Sequence, residues 1–177
     1  DRVTEIEEVI VGTKTMPVED WRRAAKFSWT TMLLHSMKIG FYLMGYIRDQ
    51  FGLAYTDLIQ FISDRKFKSV SITMMDQVLD SADELLAEIL SGKGRAIYDS
   101  SYGEIYWEFE EMSFLHLSQD LDRFYNEFEQ LLRGYLKDRA IQFEEKELQE
   151  AVTYQKLRIP TSQNVKNLAT EFEFNFP

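Results

Sequence analysis

Two long runs of apolar residues at helical spacing constrain the fold of this chain most strongly. Between residues 75 and 90, and again between 121 and 135, apolar side chains recur at steps of three and four. This period places them along one face of an α-helix. The chain is therefore predicted to be mainly α-helical. The two stripes consist of Met75, Val78, Leu79, Ala82, Leu85, Leu86, Ile89 and Leu90, and of Leu121, Phe124, Tyr125, Phe128, Leu131, Leu132 and Tyr135.

Shorter segments with the same period predict further helices, so that five to seven helices are expected. The chain carries 13 Phe, nine Tyr and three Trp, which predict one aromatic-rich core. A length of 177 residues suits a single domain, residues 1–177. The shorter helices are predicted near residues 18–32, 41–50 and 55–62, from about 108 onward, and near 144–157.

Three segments have the features of strands. Residues 96–107 hold two short apolar runs around a polar turn, which predicts a small hairpin. Residues 5–11 read as a short strand. In the extended tail expected at 161–177, Phe172, Phe174 and Phe176 alternate with polar residues. This period of two predicts a second terminal strand, buried on one face.

Charge and cysteine content exclude several classes of function. The 20 Lys and Arg residues against 30 Asp and Glu give a net charge of −10, which argues against nucleic-acid binding. The absence of cysteine excludes a disulfide framework, a thiol nucleophile and an iron–sulfur cluster held within this chain.

The most apolar stretch, residues 27–47, contains one full charge, that of Lys38. Its polar side chains and a break expected at Gly40 favour a buried pair of helices over a membrane span. The sequence shows no secretory signal pattern, and we expect a cytoplasmic location. The chain opens on a polar run without methionine, which suggests a start inside a longer protein or a processed chain.

The order of several segments resembles the C-terminal helical region of cobalamin-binding radical S-adenosylmethionine enzymes. This broad family includes proteins similar to the anaerobic magnesium-protoporphyrin monomethyl ester cyclase. The chain departs from the family pattern at residues 108–109 (EF), where the family often has proline. The segments that carry the resemblance are 8–13 (EVIVGT), 19–21 (EDW), 52–57 (GLAYTD), 102–107 (YGEIYW), 110–115 (EEMSFL) and 154–155 (YQ) before Pro160.

The resemblance implies that the chain is a C-terminal fragment and a non-catalytic accessory domain, which helps to shape or cover the substrate pocket of a methyltransferase or cyclase. The parent enzyme would use a 4Fe–4S cluster, S-adenosylmethionine and cobalamin, all bound outside this chain. Its partners would be the radical S-adenosylmethionine barrel and the cobalamin-binding domain of the same polypeptide. The alternative is a free-standing helical module that binds a ligand or a protein.

The two histidines are candidate site residues. His35 lies within the apolar stretch, where a core or interface histidine is favoured over a metal ligand. His116 follows Glu110 and Glu111 on a predicted helix, but the Glu-x-x-His spacing of di-iron bundles is absent. A metal site at His116 is therefore disfavoured.

Glu110 and Glu111 could in principle supply an acid and a base, and a small enzyme built on these two and His116 is a third hypothesis. Neighbouring carboxylates on a helix point in different directions, so a solvated acidic face is favoured. Trp107 lies beside the predicted hairpin and is the better placed of the tryptophans to line a pocket.

Overall fold

The structure, a computed structural model, describes residues 8–67, 71–160 and 170–176 and confirms a mainly α-helical fold. Within these ranges the chain forms seven α-helices and one two-stranded hairpin. The helices are α1 (Val18–Thr31), α2 (Phe41–Phe51), α3 (Tyr55–Ser63), α4 (Met74–Leu90), α5 (Phe109–Ser118), α6 (Leu121–Lys137) and α7 (Glu145–Leu157).

Both predicted stripes form buried helix faces, except for Leu90 at the end of the first stripe, which is exposed. They lie on α4 and α6, which pack against each other, and α6 also contacts α5 and α7. Helix α1 packs on α3, α4 and α5, while α2 packs on α3 and α7. The aromatic core predicted from composition is present along α6, where Phe124, Tyr125, Phe128 and Tyr135 are almost fully buried.

Helix α4 begins at a reciprocal cap. The Thr73 hydroxyl accepts a hydrogen bond from the Asp76 backbone N–H at 3.1 Å, and the Asp76 carboxylate accepts one from the Thr73 N–H at 2.9 Å. Two of the N–H groups that lack a partner within the helix are thereby satisfied.

We expect Thr73→Ala to lower the free energy of unfolding by about 1 kcal/mol, because it removes the hydroxyl of this cap. Thr153→Ala is the matched control, since the Thr153 hydroxyl only donates to a carbonyl one turn earlier on the exposed side of α7. Urea denaturation of both variants measures the difference. Equal stabilities would contradict the role of the cap.

The helical segment is interrupted between α1 and α2, as predicted from Gly40. Helix α1 runs into a π-helical turn at Met32–Ser36, and the backbone N–H of Gly40 donates to the Leu34 carbonyl at 2.9 Å. A Cβ at position 40 would lie 3.1 Å from a methyl carbon of Leu34, so this close approach favours glycine. Among the described residues, no helix is long and apolar enough to cross a membrane.

A buried side-chain amide stabilises the corner between α1 and α2. Gln155 on α7 is fully buried, and its Oε1 accepts a hydrogen bond from the Tyr42 backbone N–H at 2.8 Å. Its Nε2 donates to the Lys38 carbonyl at 2.9 Å. The nearby Tyr125 hydroxyl donates to the Ile39 carbonyl at 2.8 Å. Side chains of α6 and α7 therefore satisfy backbone groups of the α1–α2 corner.

Burial raises the pKa of the Tyr46, Tyr125 and Tyr135 phenols above the usual range, with a further contribution from Glu147 at Tyr46. The unfolded chain releases these protons near pH 10, whereas the native state retains them. We therefore expect the free energy of unfolding to fall as the pH rises above about 10. Phenolate absorbance during an alkaline titration should show the three rings ionising only as the helices unfold. Ionisation before loss of the helical circular dichroism would contradict this.

The predicted hairpin is confirmed, and the terminal strands are not. Strand β1 (Ile97–Tyr98) pairs antiparallel with β2 (Tyr106–Trp107). Residues 8–11 form no strand, and residues 5–7 of that prediction lie outside the described residues.

Residues 170–176 also form no strand, although the predicted alternation of burial is present. The Phe176 ring stacks on Tyr154 of α7 with centroids 5.5 Å apart, and Phe172 meets the same ring at 5.8 Å. The backbone N–H groups of Glu173 and Phe174 donate to the Glu150 carboxylate on α7. The tail buries its phenylalanines against helices, so it needs no neighbouring strand. Residues 161–169 of the predicted tail lie outside the described residues.

Candidate functional site

A groove with a volume of about 580 Å³ runs between α4 and α5 and is partly open to solvent. The start of α6 closes one part of it, and Ile97 of the hairpin contributes to its lining. This volume lies within the range of about 300–1,000 Å³ that is typical of small-molecule sites. The floor is formed by buried apolar side chains: Met74, Val78, Leu85, Phe109, Met112 and Leu117.

The sequence of the two helices explains why a groove forms there. The groove lining includes two serines, Ser81 on α4 and Ser113 on α5. Their small side chains leave space between the helices unfilled. Phe109 fixes the first turn of α5, because its ring stacks on Trp29 of α1 at a centroid distance of 4.6 Å.

Carboxylates dominate the charge of the groove. Its lining contains Glu84, Glu88 and Asp120 but a single cationic side chain, Arg123. Arg123 is already engaged, since its Nε lies 2.8 Å from a Glu127 carboxylate oxygen. The groove therefore presents an apolar floor beneath an acidic rim.

The loop between the two strands lies beside the rim. Asp99 accepts a hydrogen bond from the Ser101 backbone N–H at 2.8 Å, and its carboxylate lies 3.8 Å from the His116 Nε2. Hydrogen bonding to Ser101, with a smaller contribution from His116, lowers the pKa of the Asp99 carboxyl below its usual range. The Tyr102 hydroxyl accepts a hydrogen bond from the Gln119 amide, which ties the loop to the turn before α6.

Of the five candidate site residues, the groove lining includes only His116. Trp107 is half-buried on β2, and its Nε1 has no hydrogen-bond partner among the described residues. The Glu111 carboxylate accepts from the Glu108 backbone N–H at 3.2 Å and so caps α5, and Glu110 lies beside it outside the groove.

His35 lies elsewhere. It is exposed and so does not belong to the core, and the alternative of an interface histidine stays a prediction. The side chain is exposed at the end of the π-helical turn, with its ring 5.1 Å from that of Phe41. The groove lining includes His116 and does not include His35.

No group of three or more His, Asp or Glu side chains within residues 8–67, 71–160 and 170–176 is placed to hold a metal ion. Glu110, Glu111 and His116 are not assembled into an acid–base set around the groove. What the arrangement can do is bind an apolar molecule and present carboxylates to it.

The residues that sequence reasoning missed are Ser81, Glu84, Met112 and Ser113. Ser81 and Glu84 lie on the flank of the α4 stripe, where polar residues are ordinarily solvated. Ser113 is buried within α5, and this small polar residue on an apolar face is the one signal that pointed to a gap in packing.

No protein-family model matches this sequence, and no curated protein matches it either.

Proposed function

We propose that this chain is a helical accessory domain of a cobalamin-dependent radical S-adenosylmethionine enzyme of the methyltransferase or cyclase type. The groove between α4 and α5 would form one wall of the substrate pocket. The cluster, S-adenosylmethionine and cobalamin would be held by the rest of the parent protein and would supply the chemistry.

The partial opening of the groove to solvent is the observation that carries this proposal. A typical small-molecule site encloses 70–90% of its ligand's surface. A groove of about 580 Å³ that is partly open to solvent covers a ligand only in part. A second protein surface would complete the enclosure, and the barrel or cobalamin-binding domain of a parent enzyme is suited to that role. The order of segments described from the sequence supports the same assignment.

The first experiment is to read the gene upstream of the codon for Asp1. A Cys-x-x-x-Cys-x-x-Cys motif in the same reading frame is the expected result. A parent protein without such cysteines would remove the radical S-adenosylmethionine assignment.

The second experiment tests the groove within the whole parent protein. Ser81→Trp fills the groove from an exposed position on α4, and we expect it to lower kcat/KM at least about tenfold. Ser28→Trp on the exposed side of α1 is the matched control. Iron and cobalamin contents, measured by absorbance, should stay unchanged in both variants. Full activity of Ser81→Trp would contradict a role of the groove in the substrate pocket.

The free-standing binding module is the second candidate, and the tail favours it. A domain that docks through its tail would leave Phe172 and Phe176 uncovered, but both rings pack on Tyr154 of the same chain. Size-exclusion chromatography with light scattering distinguishes the two. A monodisperse monomer at high concentration supports the module, whereas self-association supports an accessory domain with an exposed docking face.

A further inference from the structure

We propose that the α4–α5 groove selects an organic cation, namely a molecule with an apolar body and a protonated amine. The inference rests on the proposed function of the groove as a ligand site and adds the chemical class of the ligand. The apolar body would lie on the floor, and the amine would face the rim.

The floor suits an unbranched or flat hydrocarbon group. Met74, Val78, Leu85, Phe109 and Met112 are each less than 9% exposed, and all five line the groove between the two helices. Methionine side chains adapt to irregular apolar shapes, which suits a floor of this composition.

The acceptors at the rim suit an ammonium group. The carboxylate of Glu84 has no ion pair or hydrogen bond within the part of the chain that the structure describes. The neighbouring rim carboxylate of Glu88 lies 3.8 Å from the Lys93 ammonium. On α5, the hydroxyl of the buried Ser113 donates its proton to the Phe109 carbonyl at 2.7 Å, which leaves its oxygen as a second acceptor in the groove lining. An ammonium group has three N–H donors and no acceptor, and it matches such a set.

The one cationic side chain of the lining, Arg123, is engaged, which disfavours an anion. Arg123 pairs with Glu127 and also donates to the Ile72 carbonyl at 3.5 Å. The Gln119 amide donates to the Tyr102 hydroxyl. A carboxylate ligand would meet the negative charge of Glu84 with little compensation.

The test compares n-octylammonium with octanoate, which share a chain length and differ in charge. Amide chemical shifts in two-dimensional NMR spectra report binding to the whole chain at concentrations below micelle formation. We expect both probes to shift the amides of Val78 and Met112, with octylammonium binding about fivefold more tightly. That ratio corresponds to the upper part of the range for an exposed ion pair.

Glu84→Gln should reduce the affinity for octylammonium to that for octanoate. Glu171→Gln is the matched control for net charge. A chain with a net charge of −10 attracts any cation to some extent, and both substitutions remove one negative charge. Glu171 is exposed in the tail, and its replacement should leave the ratio of affinities unchanged. Ser81→Trp should abolish the groove shifts caused by both probes.

Three results would overturn the inference, and they separate it from the proposed function. Equal binding of the two probes would remove the selection for a cation and leave the groove as a ligand site. A loss of selectivity in Glu171→Gln as large as that in Glu84→Gln would assign the preference to net charge. Binding of neither probe would remove the groove as a ligand site of this chain, whereas the proposed function depends on the cysteine motif of the parent gene.

Discussion

Gln155→Leu is expected to lower the free energy of unfolding by roughly 2–4 kcal/mol. Leucine has a similar volume but cannot accept from the Tyr42 N–H or donate to the Lys38 carbonyl. Each backbone group left without a partner in a buried place costs about 1–3 kcal/mol. Chemical denaturation followed by circular dichroism measures the loss.

The control for this substitution is Gln149→Leu, at an exposed position of the same helix. Its effect should stay within about 0.5 kcal/mol, as is usual for surface replacements. If the two variants were equally stable, the buried amide would not hold the corner between α1 and α2.

Phe128→Ala is expected to be still more damaging, with a loss of about 3–5 kcal/mol. The ring is 2% exposed and stacks on Phe124 at a centroid distance of 5.3 Å, so its removal leaves a cavity at the centre of α6. Thermal and chemical unfolding both report the loss, and Phe128→Leu should give a smaller one if the alanine variant does not fold.

Tyr106→Ala provides the comparison for loss of an aromatic ring at the surface. Tyr106 is 70% exposed on β2, and its replacement should change the free energy of unfolding by less than about 1 kcal/mol. A Phe128 variant that is as stable as this one would mean that the aromatic residues of α6 do not form the core.

The helices were predictable because their signal is local. The stripes on α4 and α6 repeat every three or four residues, and the Thr73–Asp76 cap depends on two residues that are three positions apart in the sequence. The alternation of Phe172 and Phe176 correctly predicted one-sided burial, but the strand was wrong. A period of two indicates which side chains are covered and does not say whether a strand or a helix surface covers them.

The groove was not predictable, because it depends on how α4 and α5 face each other. Ser81 and Glu84 have the pattern of a solvated helix flank, and only the placement of α5 opposite them creates a lined cavity. The positions of the predicted site residues were not predictable for the same reason: Glu111 caps α5, His35 is exposed, and His116 lines the groove. The assignment to an enzyme family stays a prediction.

The contacts of Gln155 also determine when the corner between α1 and α2 can form its native hydrogen bonds during synthesis. Its partners Tyr42 and Lys38 lie 113 and 117 residues earlier in the chain. A nascent chain leaves the ribosome from its N-terminal end, so the corner between α1 and α2 emerges long before α7. Until Gln155 emerges, the N–H of Tyr42 and the carbonyl of Lys38 must be satisfied by water. The first helices of this domain therefore reach their final arrangement only when nearly the whole helical region has been translated.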